Sequence, residues 1–184
     1  MSEADRARWD ERYLGQDAPV ADAAGPDPVF LPYAGAFPTA GHALDVACGQ
    51  GTGAVWLARR GLDVRGLDVS AVAVGQAREF AARSGVTEHC RFDVADLDDG
   101  LPPGPPVDVI YCRRFRDHRL DQAMIDRLAP GGLLAITALS AVGGCCGPFR
   151  AAPGELPAAF AALEVIAAGE GQGQAWLLAR RPAG

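Results

Sequence analysis

Three glycines at alternate positions, Gly49, Gly51 and Gly53, follow the apolar run 43–47 and precede a helix-forming stretch. Glycines at such a junction let backbone approach a ligand closely, because no Cβ stands in the way. The helix that follows aims free N–H groups and a positive dipole end at the same place. Two carboxylates flank the turn. Asp45 lies inside the apolar run and, once buried, needs N–H partners of the kind the turn can supply. Asp68 closes a second apolar run about twenty residues beyond the glycines, the place from which a carboxylate accepts both hydroxyls of a ribose. The same residues also fit plainer roles: glycines that pack a helix, a carboxylate that braces a loop, and a turn before Ser70 caps the next helix.

A second group follows the fourth apolar run. Arg113, Arg114, Phe115 and His118 stand at the carboxyl end of a strand, where open α/β sheets bind ligands, and are candidates for a second subsite. Arg116, Asp117 and Arg119 read as the solvated start of a helix. Trp9, Arg12 and Tyr13 share one side of an N-terminal helix at i, i+3 and i+4, fit to lie over a pocket as a lid. An aromatic ring over a cation contributes roughly 0.5 to 2 kcal/mol. Glu155 is expected to cap a short helix. The five cysteines, Cys48, Cys90, Cys112, Cys145 and Cys146, form no CxxC and no Cys/His cluster at zinc spacing. Adjacent Cys145 and Cys146 are awkward for chelation, so no metal is expected.

The elements that must position these residues alternate from Gly41 onward. Strands are expected at His42–Ala47, Asp63–Leu67, Cys90–Val94, Val107–Cys112, Leu133–Leu139, Glu164–Ala168 and Gln174–Arg180. Helices are expected at Ala54–Arg60, Val72–Arg83, Asp121–Leu128 and Leu156–Leu163. Pro130-Gly131-Gly132 should end the third of these, and 101–106 is a proline-rich loop. Alternation of this kind gives an α/β fold with parallel strands and helices on both faces of the sheet. Residues 1–40 stand apart: a helix over Glu3–Leu14, then a short, low-complexity Pro/Gly/Ala-rich connector running to Thr39, part of which is as open to disorder as to structure. The division is therefore a cap and connector over 1–40 and one domain over 41–184.

The chain has 184 residues, 49% hydrophobic and 22% charged, enough for one core without disulfides or metals. All 17 basic residues are arginine and the formal charge is −6, with no basic face, which disfavours a nucleic-acid partner. The longest apolar stretches are far too short to span a membrane, and the charged N-terminus lacks a secretory signal. A cytoplasmic protein, monomeric or homodimeric, is expected.

Leu44-Asp-Val-Ala-Cys-Gly-Gln-Gly-Thr-Gly53 resembles the first motif of class I S-adenosylmethionine-dependent methyltransferases. Gly66-Leu-Asp-Val-Ser70 is similar to the ribose-binding strand end of that family, Asp93-Val-Ala-Asp-Leu97 to its adenine-contacting acidic motif, and Val107-Asp-Val-Ile-Tyr-Cys112 to the strand beside the transfer centre. Leu128-Ala-Pro-Gly-Gly-Leu-Leu134 matches the turn before strand five. Trp9-Asp-Glu-Arg-Tyr13 and the C-terminal segment look like small bacterial members related to tellurite-resistance and thiopurine methyltransferases.

The resemblance implies a Rossmann-like, seven-stranded, mostly parallel sheet with helices on both faces and the last strand antiparallel. It implies S-adenosyl-L-methionine as cofactor and methyl transfer to a small-molecule nucleophile, since the short stretch between strands five and six leaves no room for a substrate domain. Carried onto this sequence, Asp45, Ala47, Cys48, Gly49 and Gly51 would surround the methionine moiety, with Cys48 a small filler. Asp68 and Val69 would hold ribose and adenine, Asp96 and Leu97 the adenine edge, and Cys112 would bring its backbone carbonyl near. Arg12 joins this cofactor set. Trp9, Tyr13, Arg113, Arg114, Phe115 and His118 are left for the acceptor. No catalytic base is assigned, because an activated methyl group needs mainly positioning. Two other readings share these features: a cofactor-binding module without turnover, and an NAD(P)-dependent oxidoreductase, disfavoured by the absence of any lysine.

Overall fold

A computed structural model describes residues 3–143 and 150–184 of the chain. The N-terminal helix α1 covers Glu3–Leu14. The alternating part runs β1 (Gly41–Val46), α2 (Thr52–Arg59), β2 (Leu62–Asp68), α3 (Ala71–Arg83), β3 (Cys90–Val94), β4 (Val107–Cys112), α4 (Asp121–Arg127) and β5 (Leu128–Ser140). The two-residue β6 (Arg150–Ala151), α5 (Glu155–Ala159), β7 (Glu164–Gly171) and β8 (Gln174–Arg180) complete it. Adjacent Cys145 and Cys146 lie outside the described residues.

One sheet of eight strands holds the molecule together, in the order β3-β2-β1-β4-β5-β8-β7, with β6 paired to β5 off that path. Strands β1 to β5 pair in parallel, and β8 runs antiparallel between β5 and β7. This is the expected Rossmann-like sheet with one addition, the short β6. Chain order reverses between β2-β1 and β4, which opens a crevice at the carboxyl ends of β1 and β4.

Period-two alternation explains why both faces are covered. In β5, Leu133 and Ala135 join one core cluster, with Val55, Leu57 and Phe80 of α2 and α3, while Leu134, Ile136 and Ala138 join the other, with Leu120, Met124 and Phe160. The expected turn at Pro130-Gly131-Gly132 became a bulge inside β5: Leu128 pairs with Val107 and the register resumes at Leu133 opposite Val109. Gly131, at φ +78°, takes the left-handed bend that this requires.

Of the two alternatives open for the connector, the structure shows order over its second half. A 3-10 helix spans Pro28–Ala36, started by Pro28 and by the Asp27 carboxylate, which accepts the Val29 N–H at 3.4 Å. Phe30 and Phe37 are 0% and 2% exposed, and the Phe30 ring meets Tyr111 and Trp176 edge-on at 6.3 and 6.1 Å. Low complexity concealed two aromatics that belong to the main core. Among the described residues, no helix is long and apolar enough to cross a membrane.

Candidate active site at the carboxyl end of β1 and β4

The junction of β1 with α2 is a tight, internally bonded loop. The Cys48 N–H donates to the Leu67 carbonyl and the Gly51 N–H to the Cys48 carbonyl, each at 2.9 Å. Ala47, at φ +55°, and Gly49, at φ +52°, are both left-handed. Asp68, 6% exposed at the end of β2, clamps this loop: one carboxylate oxygen accepts the Gly49 N–H at 2.8 Å and the other the Ser70 N–H at 2.9 Å. Burial raises the pKa of Asp68, against the opposing pull of these N–H donors.

The three glycines divide their work. A Cβ on Gly49 would stand 2.7 Å from the Tyr13 hydroxyl, so only Gly49 keeps the backbone open toward the space under α1. A Cβ on Gly51 would meet Ala77 at 2.9 Å and Phe92 at 3.1 Å, and one on Gly53 would meet Tyr111 at 2.6 Å. Gly51 and Gly53 therefore seat α2 against α3 and the sheet, which corrects the expectation that Gly51 faces a ligand.

A cavity of about 400 Å³ opens over this loop, lined by Trp9, Arg12, Tyr13 and Gln16 of the N-terminal segment, and by Ala47, Cys48, Gly49, Gln50 and Thr52 of the loop and α2. Asp68, Val69, Leu97, Arg113, Arg114, Phe115 and Leu139 complete it. Helix α1 is fastened over the start of α3 by Asp10, whose carboxylate accepts the Ser70 hydroxyl at 2.5 Å and the Val72 N–H at 3.3 Å. The Trp9 and Tyr13 rings stack at 6.2 Å and the Arg12 guanidinium lies 5.1 Å from the Trp9 ring centre.

Of the seventeen residues assigned to cofactor or acceptor, twelve line this cavity and five do not. Asp45 lies behind the loop, 2% exposed, where the Ala54 N–H bonds to it; burial pushes its pKa up to about 8. Gly51 packs as described. Cys112 is fully buried, its thiol 3.6 Å from the Phe115 carbonyl, and does not line the cavity. Asp96 caps the 3-10 turn Leu97–Asp99 by accepting the Asp98 N–H at 3.0 Å, next to the lining residue Leu97. His118 is exposed at the start of another 3-10 turn, away from the lining.

Neighbouring charges depart further from expectation. Arg116, read as solvated, is 5% exposed and is held by Asp121 at 2.5 and 2.8 Å and by Glu155 at 2.6 Å. Glu155 also accepts the Ala152 N–H at 2.7 Å, so it locks the approach to α5. Sequence reasoning missed Asp27. It is 2% exposed, accepts from Arg113 Nε at 3.2 Å and from Gln174 at 3.3 Å, and donates its own N–H to the Tyr111 hydroxyl at 2.7 Å. Nothing local in the connector links Asp27 to an arginine 86 residues away.

Among the described residues, neither the thiol nor the phenol at the cavity wall is activated. Burial, then Asp45 and Asp68, hold the Cys48 thiol well above its ordinary pKa. Burial, then Asp68, does the same to the Tyr13 hydroxyl. Both stay protonated at neutral pH.

Residues 43–132 match the methyltransferase domain family. That segment, just under half of the chain, is similar to a methyltransferase domain. Over 105 residues it is 36% identical to the methyltransferase GfsG of Streptomyces halstedii, covering 53% of this chain and 38% of that protein. Over 103 residues it is 35% identical to a ubiquinone biosynthesis O-methyltransferase of Methylococcus capsulatus, covering 53% and 43%. Over 109 residues it is 50% identical to ribosomal RNA small subunit methyltransferase C of Alcanivorax borkumensis, covering 53% and 32%. The alignments thus span less than half the length of these curated relatives.

The whole architecture also recurs in solved structures. The CcbJ methyltransferase from Streptomyces caelestis superposes with a TM-score of 0.71 at 15% identity, covering 95% of this chain and 96% of that one. The DhpI–SAH complex superposes with a TM-score of 0.66 at 22% identity, covering 98% and 96%. At these identities the likeness establishes the methyltransferase fold.

Proposed function

We propose that this protein is a methyltransferase that binds S-adenosylmethionine in the cavity over the β1–α2 loop and transfers its methyl group to a small-molecule nucleophile. The observation that carries the reading is the Asp68 carboxylate, which lines the same cavity as the glycine-opened backbone at Gly49. A cavity of about 400 Å³ falls in the size class of small-ligand sites.

The residues present fit the cofactor. The Asp68 carboxylate accepts from the backbone N–H groups of Gly49, Ser70 and Val69, and of its roughly four lone-pair sites one remains for a ribose hydroxyl. Val69 and Leu97 offer apolar walls to an adenine ring, with Asp96 at its edge. Ala47, Cys48 and Gly49 bound the space for the methionine portion, and the Arg12 guanidinium on the lid suits its carboxylate. When bound, the cofactor supplies a methyl group already activated on a sulfonium. Holding the reactants in line then supplies much of the rate, on the order of 7 to 11 kcal/mol in favourable cases. Trp9 and Tyr13 on α1 exclude water from above. With Cys48 and Tyr13 protonated and Asp68 committed to the loop, the described wall offers no evident base, which suits an acceptor that ionises by itself.

Isothermal calorimetry tests the reading. Wild type is expected to bind S-adenosylmethionine in the micromolar range and Asp68→Ala more weakly by about 1 to 3 kcal/mol, because a ribose hydroxyl loses a charged acceptor. Binding of NAD(P) with none of S-adenosylmethionine overturns it. Formation of S-adenosylhomocysteine in a screen of thiols, phenols, amines and selenite separates an enzyme from a module that only holds the cofactor.

A further inference from the structure

The geometry points to an anionic acceptor, a small molecule carrying a carboxylate or phosphate on an apolar body, with Arg114 as the residue that selects it. The inference rests on the cofactor reading above and concerns the far end of the same cavity.

The first observation is the distribution of charge. In a chain of formal charge −6, the described cavity wall carries three guanidiniums, on Arg12, Arg113 and Arg114, against one carboxylate, Asp68. Asp68 stands at the end of β2, while Arg113 and Arg114 both follow β4. With Arg12 set against the cofactor's carboxylate and Arg113 paired with Asp27, Arg114 is the cation left to draw an anion to that end, where partly enclosed walls focus its field.

The second observation separates the two neighbouring arginines. Arg113 already has its counter-charge: Nε donates to the buried Asp27 at 3.2 Å and Nη1 to the Thr52 hydroxyl at 3.5 Å. Its charge is balanced inside the protein and its side chain fixed. The Arg114 guanidinium has no hydrogen-bond or ion-pair partner among the described residues, although it lines the cavity. A guanidinium presents a rigid fork of donors matched to the two oxygens of a carboxylate or phosphate.

The third observation is that the fold spends strain on Arg114. Its φ is +55°, the left-handed region that side-chain-bearing residues rarely adopt, and its N–H is held there by the fully buried Thr137 hydroxyl at 3.0 Å. Among the described residues only two others without glycine's freedom take a positive φ. One is Ala47, in the glycine loop of the same cavity, and the other is Gln172, in the β7–β8 turn. Phe115 and Leu139 beside Arg114 supply an apolar wall. Together they describe a subsite for a flat or apolar acid. A protonated amine would meet like charge there.

The test is a calorimetric titration of protein saturated with S-adenosylhomocysteine, using 4-hydroxybenzoate, phenyl phosphate and the neutral 4-hydroxybenzamide as probes. At least one anion is expected to bind ten-fold or more tightly than the amide, and which one identifies carboxylate or phosphate. The preference is expected to fall below three-fold in Arg114→Asn, a replacement that tolerates the left-handed backbone, and to return in part in Arg114→Lys. A separate S-adenosylhomocysteine titration of each variant, made before saturation, reports that it is folded. Equal affinity for acid and amide, no measurable binding of any probe, or a preference that survives Arg114→Asn overturns the inference while leaving the cofactor reading intact. Failure of wild type to bind S-adenosylhomocysteine at all overturns the cofactor reading, and this inference falls with it.

Discussion

Asp45 sits at the base of the glycine loop with 2% of its surface exposed, and burial, opposed by the Ala54 N–H, pushes its pKa up to about 8. An unfolded chain releases that proton near an aspartate's ordinary value of about 4. Between these limits the native state holds a proton that the unfolded state does not, so stability falls as pH rises. The contribution is fully present below about pH 4 and is lost as pH climbs through the folded value. Asp45→Asn keeps an acceptor for Ala54 and cannot titrate. Urea unfolding at pH 4.5, 6 and 7.5 should therefore show the variant gaining on wild type by up to about 1.4 kcal/mol per pH unit. Parallel curves would mean that Asp45 titrates as an ordinary exposed carboxylate. The loop it braces was readable from Leu44 to Gly53, but the division of labour among the glycines was not. Which missing Cβ faces a ligand and which faces Ala77 or Tyr111 depends on where α1 and α3 lie.

Helix α1 shows how an element acquires a role from its neighbours. Its bounds, Glu3–Leu14, agree with those expected from sequence, and Trp9, Arg12 and Tyr13 all reach the cavity. The device that holds it in place was not legible: Asp10 bonds to Ser70 and Val72, some sixty residues away, adding a second carboxylate contact to the start of α3. Ser70 itself caps Ala73 at 3.1 Å, so α3 survives without Asp10 while the lid loses its tether. Asp10→Ala is expected to cost about 0.5 to 2 kcal/mol in the α1–α3 contact. Hydrogen exchange should quicken over residues 3–14 and remain slow in β1, β4 and β5. Unaltered exchange in α1 would show that ring packing alone holds the lid.

At the scale of the molecule, the connector is part of the core. Phe30 is fully buried, and Leu31, one residue along, is 59% exposed. Phe30→Ala is expected to destabilise by about 3 to 5 kcal/mol through lost burial and a cavity, and Leu31→Ala by no more than about 0.5 kcal/mol. Equal shifts in the urea midpoint would contradict the packing of this segment against Tyr111 and Trp176. The connector also carries Asp27 to Arg113, so the part of the chain with the least regular composition sets one wall of the site.

The amino-acid order by itself determined the alternation of strands and helices, the parallel sheet and the glycine turn, because period-two and helical apolar spacing, caps and breakers act over a few residues. It also supplied the motifs that marked the methyltransferase fold. Only the tertiary structure decided that Arg116 is buried between Asp121 and Glu155, that Arg113 is balanced by Asp27, and that Arg114 is left to face the cavity. Those outcomes are pairings between residues far apart in the chain. Charge compensation and burial are settled by which surfaces meet in space, and local sequence carries no record of that.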